Sequence, residues 1–236
     1  MSLLYCERIT SLFVWVDEML PRRLPSKSIG RPRALSDAEI VTILIWNILI
    51  LKHKTWKDLH RFLVAYHLRD FPTLPKYNDF LLHCHDATTS CFLLLQRLLA
   101  RDAPLKFLDG TMLPVCKHKR ADAHKVAKDI ADFGKNWQGW HYGFKLHASV
   151  TRDGRLCAIV FTKASVHERH MVKKLLGTHT KVAVGDTSYA GRELREEIWK
   201  TTGTFVLGPG FHGQKKLMAK WQQDLLSERS CIESVF

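Results

Sequence analysis

The stretch that most constrains this fold is Leu105-Lys106-Phe107-Leu108-Asp109-Gly110-Thr111. A short apolar run bounded by a glycine reads as a buried strand. Ending that strand in a carboxylate is costly unless the charge finds a partner. The same figure returns where Lys181-Val182-Ala183-Val184-Gly185 leads into Asp186. Two strands that each carry an Asp to one end of a sheet suggest a shared metal site, and the rest of the chain reads as the surroundings of that site.

A chain of 236 residues can bury a sizeable core in one or two domains. Lys and Arg number 36 against 23 acidic residues, a formal charge of +13. Such an excess favours a polyanion, most often nucleic acid, although a ribosome-associated or membrane-surface protein would carry a similar one. The six cysteines are scattered with no C-x-x-C pair, which fits a reducing cytoplasm better than a disulfide framework. Glu7, Arg8, Asp17 and Glu18 break up any signal-peptide layout. The longest apolar run, residues 40–51, is too short to span a bilayer and reads as a buried helix. His83-Cys84-His85 and the pair His167 and His170 lack a second ligand pair at a zinc spacing.

The N-terminal region, residues 1–103, reads as all-helical. Residues 3–20 form a helix stopped by Pro21, and a basic arm follows over residues 21–32 with Arg22, Arg23, Lys27 and Arg31. Ser36 to Glu39 is a capping box that opens a helix running to about residue 51. Thr55 caps a second helix to about residue 67, Pro72 and Pro75 break the chain, and one long helical segment covers residues 77–100. The short link at residues 52–54 suits a helix-turn-helix whose second helix presents Trp56, Lys57, His60 and Arg61 to DNA. The alternative is a small helical bundle with a basic, solvated face.

Residues 104–236 read as α/β. After the first strand comes a basic, turn-rich stretch over residues 116–136. Strands at residues 140–150 and 156–162 are joined by Arg152-Asp153-Gly154-Arg155, a hairpin signal. A helix over residues 167–176 precedes the second Asp-bearing strand. A helix over 191–200, a strand over 203–207 and a final helix from 216 to the end complete a mixed five-stranded sheet flanked by helices. On the final helix Leu225, Ile232 and Phe236 make an apolar stripe, with Arg229 and Glu233 facing each other along its rim. Asp109, Asp186 and Glu233 together are what two Mg²⁺ (or Mn²⁺) ions need: hard oxygen ligands that leave positions open for phosphate and water. Lys117, Lys119, Arg120 and Lys125 either grip backbone phosphates or belong to a solvated loop. Trp137, Trp140 and Tyr142 either stack on a base or fill the core. Lys145 and His147 alternate with Phe144 and Leu146, so that strand has one polar face, turned to DNA or to water.

The blocks Phe107-Leu108-Asp109-Gly110-Thr111, Gly139-Trp140-His141-Tyr142-Gly143-Phe144-Lys145-Leu146-His147, Val184-Gly185-Asp186-Thr187-Ser188-Tyr189 and Arg229-Ser230-Cys231-Ile232-Glu233 resemble bacterial insertion-sequence transposases of the DDE type. The resemblance covers about residues 105–236. It implies an RNase H-like catalytic domain over residues 104–236, with Asp109, Asp186 and Glu233 as the catalytic, metal-holding carboxylates and Arg229 as the helical arginine before the Glu. It further implies Mg²⁺-dependent cleavage of transposon-end DNA and strand transfer into target DNA, by a homo-oligomer assembled on inverted-repeat ends in the bacterial cytoplasm and nucleoid. Two departures stand out: Leu226 occupies the place of a Tyr, and the chain stops three residues after Glu233 where relatives continue. The expectation is therefore a C-terminally truncated copy, whose alternative role is a catalytically inactive remnant that only binds DNA. Another two-metal nuclease of the same fold is the third reading.

Overall fold

The computed structural model describes residues 3–21, 33–125, 127–136, 139–189, 191–209 and 218–235, with residues 3–7 and 136 described in backbone only. The arm residues 22–32, Trp137 and Phe236 lie outside them. The chain divides into two compact units, Met1–Leu98 and Leu99–Phe236.

The first unit is helical: α1 (Leu3–Met19), α2 (Asp37–Trp46), α3 (Trp56–Tyr66), α4 (Tyr77–Asp86) and α5 (Thr88–Leu98). Ser36 caps α2 as expected. Its hydroxyl accepts from the Glu39 N–H at 3.2 Å, and the Glu39 carboxylate accepts from the Ser36 N–H at 2.7 Å. The helix then widens into a π-helical turn, Asn47–Leu51, closed by Lys52 in the left-handed region at φ 56°. The Thr55 hydroxyl caps α3 by accepting from the Asp58 N–H. Residues 77–100 are two helices rather than one. The Thr88 hydroxyl donates to the His85 carbonyl at 2.7 Å, and the chain turns at Ala87. Ile40, Val41, Ile43, Leu59, Leu63 and Phe80 centre the core of this unit. Among the described residues no helix is long and apolar enough to cross a membrane.

The second unit is built on β1 (Leu105–Cys116), β2 (Asp132–Asn136), β3 (Gly139–Val150), β4 (Leu156–Lys163), β5 (Val182–Val184) and β6 (Phe205–Leu207). The sheet runs β2-β3-β1-β5-β6, with β4 also paired to β3. β3 is antiparallel to β1, β2 and β4, whereas β5 is parallel to both β1 and β6. Four antiparallel strands, β1 to β4, continued by the two parallel strands β5 and β6, with helices on both faces, make an RNase H-like fold.

The sheet has six strands rather than five. The additional strand, β2, lies in the stretch expected to be turns. Its Asp-Phe-Gly-Lys-Asn sequence carries little strand signal, and it forms because the first residues of β3 offer it an edge (Asp132 opposite Gly143). β1 is longer than expected. β5 covers only Leu105–Phe107, so the rest of β1 has β3 alone, and Pro114 is tolerated at a bulge there. The helix expected over residues 167–176 is a 3-10 turn, Glu168–His170, followed by α6 (Val172–Leu175). α7 (Arg192–Thr202) is as expected, but the final helix is α8 (Lys220–Ser227) followed by a 3-10 turn, Glu228–Ile232.

Alternation along β1 separates two cores. Leu108 joins Val172, Leu175, Ala183, Tyr189, Ile198 and Val206 on one face. Phe107 joins Val150, Val184, Leu207 and Ile232 on the other.

Candidate active site

Asp109 lies two residues past the part of β1 that pairs with β5 and, contrary to expectation, inside the strand rather than at its end, opposite Ala148 of β3. By alternation it shares the face of Phe107, where the C-terminal turn packs. Asp186 lies two residues beyond the end of β5 rather than on it. Its Oδ1 accepts the N–H groups of Ser188 at 2.9 Å and Tyr189 at 3.3 Å, which bends the chain away from the sheet. Glu233 follows the last 3-10 turn and is 63% exposed. Ile232, fully buried beside Phe107 and Leu207, fixes that turn to the sheet.

Arg229 links two of the three carboxylates. Its Nη1 lies 3.6 Å from the Asp109 Oδ2 and its Nη2 lies 3.7 Å from the Glu233 Oε1. A well-made charge-assisted hydrogen bond is shorter, about 2.7–2.9 Å. The guanidinium therefore neutralises the pair loosely. Burial pushes the Asp109 carboxyl above the usual carboxylate range, and the Asp186 and Glu233 charges add to the rise. The Gly110 N–H and Arg229 pull the other way and are outweighed. Asp186 and Glu233 thus lie within electrostatic reach of Asp109. Even so, among the described residues no three His, Cys, Asp or Glu side chains are gathered as a ready metal-binding group. The donors themselves suit a hard divalent cation: all are carboxylate oxygens, one is half-buried with too little positive charge, and the cation already between two of them is a loosely held arginine.

Behind Asp109 lies a buried polar chain that the sequence reading does not contain. Tyr189 and His147 are both fully buried. The His147 Nδ1 lies 3.4 Å from the Tyr189 hydroxyl, and its Nε2 lies 3.0 Å from the Thr162 Oγ1. Burial, with the Lys145 ammonium nearby, lowers the His147 pKa to about 4, so the ring is neutral at pH 7. Burial and the Glu168, Asp109 and Asp186 charges push the Tyr189 phenol well above its ordinary value.

The residues expected to bind DNA divide. Lys117, Lys119, Arg120 and Lys125 are exposed, as are Lys57 and Arg61 on α3. Lys117 also lines a cleft of about 430 Å³ with Pro114, Cys116, His118, Trp140 and His141. Trp140 is 57% exposed with the Lys135 ammonium 5.9 Å from its ring, whereas Tyr142 is core. His60 turns inward to the Pro75 carbonyl at 2.9 Å. Contrary to expectation, Lys145 does not face outward. It is 7% exposed, and its ammonium donates to the Glu168 Oε1 at 2.7 Å and the Val166 carbonyl at 3.1 Å. Burial alone would raise the Glu168 pKa, but the hydrogen bond from Lys145, a backbone N–H and the Lys145 and His167 charges together outweigh it, and the pKa lies below the ordinary value. Lys145 therefore meets the turn at Val166 and Glu168, while His147 meets Tyr189 and Thr162, and the polar face of β3 is covered within the fold.

An RNase H-like sheet with one carboxylate on β1, just past its pairing with β5, and a second just past β5 is an arrangement suited to a nuclease or nucleic-acid transferase. The family model described as "Transposase DDE domain" matches residues 100–236, more than half of the chain. The chain therefore belongs to the DDE transposases, a family that generally depends on divalent metal. No curated protein matches it.

Proposed function

We propose that this chain cleaves transposon-end DNA and joins the freed 3′ end to a target, with Asp109, Asp186 and Glu233 holding two Mg²⁺ or Mn²⁺ ions. The observation that carries this reading is the arrangement at one end of the sheet. A half-buried carboxylate on β1, a second just past β5, and an Arg–Glu pair from the C-terminal turn share one electrostatic environment. When bound, such ions activate the attacking oxygen and stabilise the leaving one in an in-line displacement at phosphorus. The chain's own residues bind and orient. Asp186 is pinned by two backbone N–H groups, and Arg229 presents a partly exposed guanidinium suited to a backbone phosphate. Lys117, Lys119, Arg120 and Lys125 make a cationic track for the duplex, and Lys57 and Arg61 make a second on the helical unit.

The test is incubation of the protein and Mg²⁺ with a duplex carrying the DNA that flanks its own coding sequence, followed by electrophoresis. A nick at the element's end and a strand-transfer product are the expected outcome. A protein that binds the duplex with a steep salt dependence and yields no nick overturns the reading in favour of a DNA-binding remnant. Nicks without any joined product favour a nuclease of the same fold.

A further inference from the structure

We propose that Tyr189 and His147 are positioning residues that fix the spacing of Asp109 and Asp186 and so set the affinity for a divalent cation. The inference rests on the metal-binding reading of those two carboxylates.

Two glycines flank the carboxylates, and both are hollowed out for the same phenol. A Cβ on Gly110, next to Asp109, would lie 2.9 Å from the Tyr189 hydroxyl oxygen. A Cβ on Gly185, next to Asp186, would lie 2.7 Å from the Tyr189 Cβ. Neither contact is found between real side chains, so Tyr189 fills the space between β1 and the loop after β5. Its own N–H meets Asp186 at 3.3 Å. The phenol acts as a spacer between the backbone next to Asp109 and the backbone next to Asp186.

The tautomer of His147 gives that spacer an orientation. The Thr162 hydroxyl donates to the Lys163 carbonyl at 3.1 Å, so it accepts from the His147 Nε2–H at 3.0 Å. The Nδ1 of the neutral ring then carries only a lone pair, and it accepts the Tyr189 O–H. His147 stands directly opposite Gly110 in the β1–β3 register. The path Thr162–His147–Tyr189–Asp186 therefore runs past the backbone beside Asp109. Both rings are fully buried, so they act through the carboxylates and not on substrate.

The test is Mn²⁺ binding to the full chain, read from the paramagnetic resonance signal of free Mn²⁺, with thermal unfolding measured in parallel. Asp109→Asn sets the floor. Tyr189→Phe, which keeps the ring and removes the hydroxyl, is expected to weaken Mn²⁺ binding by roughly tenfold in protein that remains folded, the size typical of groups that orient metal ligands. Gly110→Ala is expected to weaken it as well. The double variant Gly110→Ala/Tyr189→Phe should be no weaker than the worse single one, because the lost hydroxyl is what the new methyl strikes. A merely structural role would lower the melting temperature and leave the affinity of the folded protein unchanged. Wild-type affinity in both single variants overturns the inference. Wild-type protein that binds no more Mn²⁺ than Asp109→Asn overturns the metal-binding reading beneath it and the inference with it.

Discussion

His147 binds its proton far more weakly in the folded protein than in an unfolded chain, because the charged ring would be buried beside Lys145. A depressed pKa contributes stability that is fully present above the unfolded value, near 6.5, and is lost as pH falls toward about 4. The shift corresponds to about 3 kcal/mol. His147→Gln should therefore flatten the loss of stability between pH 6.5 and 4, as read by urea unfolding at a series of pH values. Asp109 has the opposite sign. Its raised pKa means that the folded state favours the neutral acid, so stability is lost as pH rises through the folded pKa. Asp109→Asn is accordingly expected to raise the melting temperature of the metal-free protein at neutral pH while removing its stabilisation by Mn²⁺. The three acidic residues are legible in the sequence because each ends or follows a hydrophobic pattern. The burial of Lys145 is not. Alternation shows that Lys145 and His147 share a face, but only the return of the chain at Val166 and Glu168 shows that the face is covered.

At the scale of elements, local signals succeed where a side chain writes the boundary. Ser36 with Glu39 and Thr55 with Asp58 start helices where the sequence says they should, and Asp153-Gly154 turns the hairpin, with Gly154 at φ 79°. Ser36→Ala should destabilise the helical unit by about 1 kcal/mol, measured as a shift of its unfolding transition. The misjudged elements depend on partners distant in sequence. β2 exists because β3 lends it an edge, and β1 continues past Thr111 because β3 stays beside it. Gly134 shows how tight that addition is, since a Cβ there would lie 2.4 Å from the Ala164 carbonyl oxygen. Gly134→Ala is therefore expected to release β2 from β3, seen as faster amide exchange over Asp132–Asn136. The final helix fails in another way. The Glu228 N–H donates to both the Asp224 and Leu226 carbonyls, after which the chain tightens into a 3-10 turn, and Glu233 is presented just after that turn.

For the whole molecule, a charge of +13 makes DNA affinity a matter of counterion release. Alanine at Lys117, Lys119, Arg120 and Lys125 should each reduce the slope of log K against log salt by about one, with little change in sequence preference. No such effect is expected from Lys145→Ala, whose ammonium is spent inside the fold. The central claim is that one carboxylate on β1, one in the loop after β5 and one from the C-terminal turn act on the same phosphodiester. The most direct measurement compares Mg²⁺-dependent nicking of end-bearing duplex by wild type, Asp109→Asn, Asp186→Asn and Glu233→Gln, with binding followed in parallel. The account predicts that each substitution abolishes nicking and that all three proteins still bind the duplex. Wild-type nicking by any one of the three variants would contradict it.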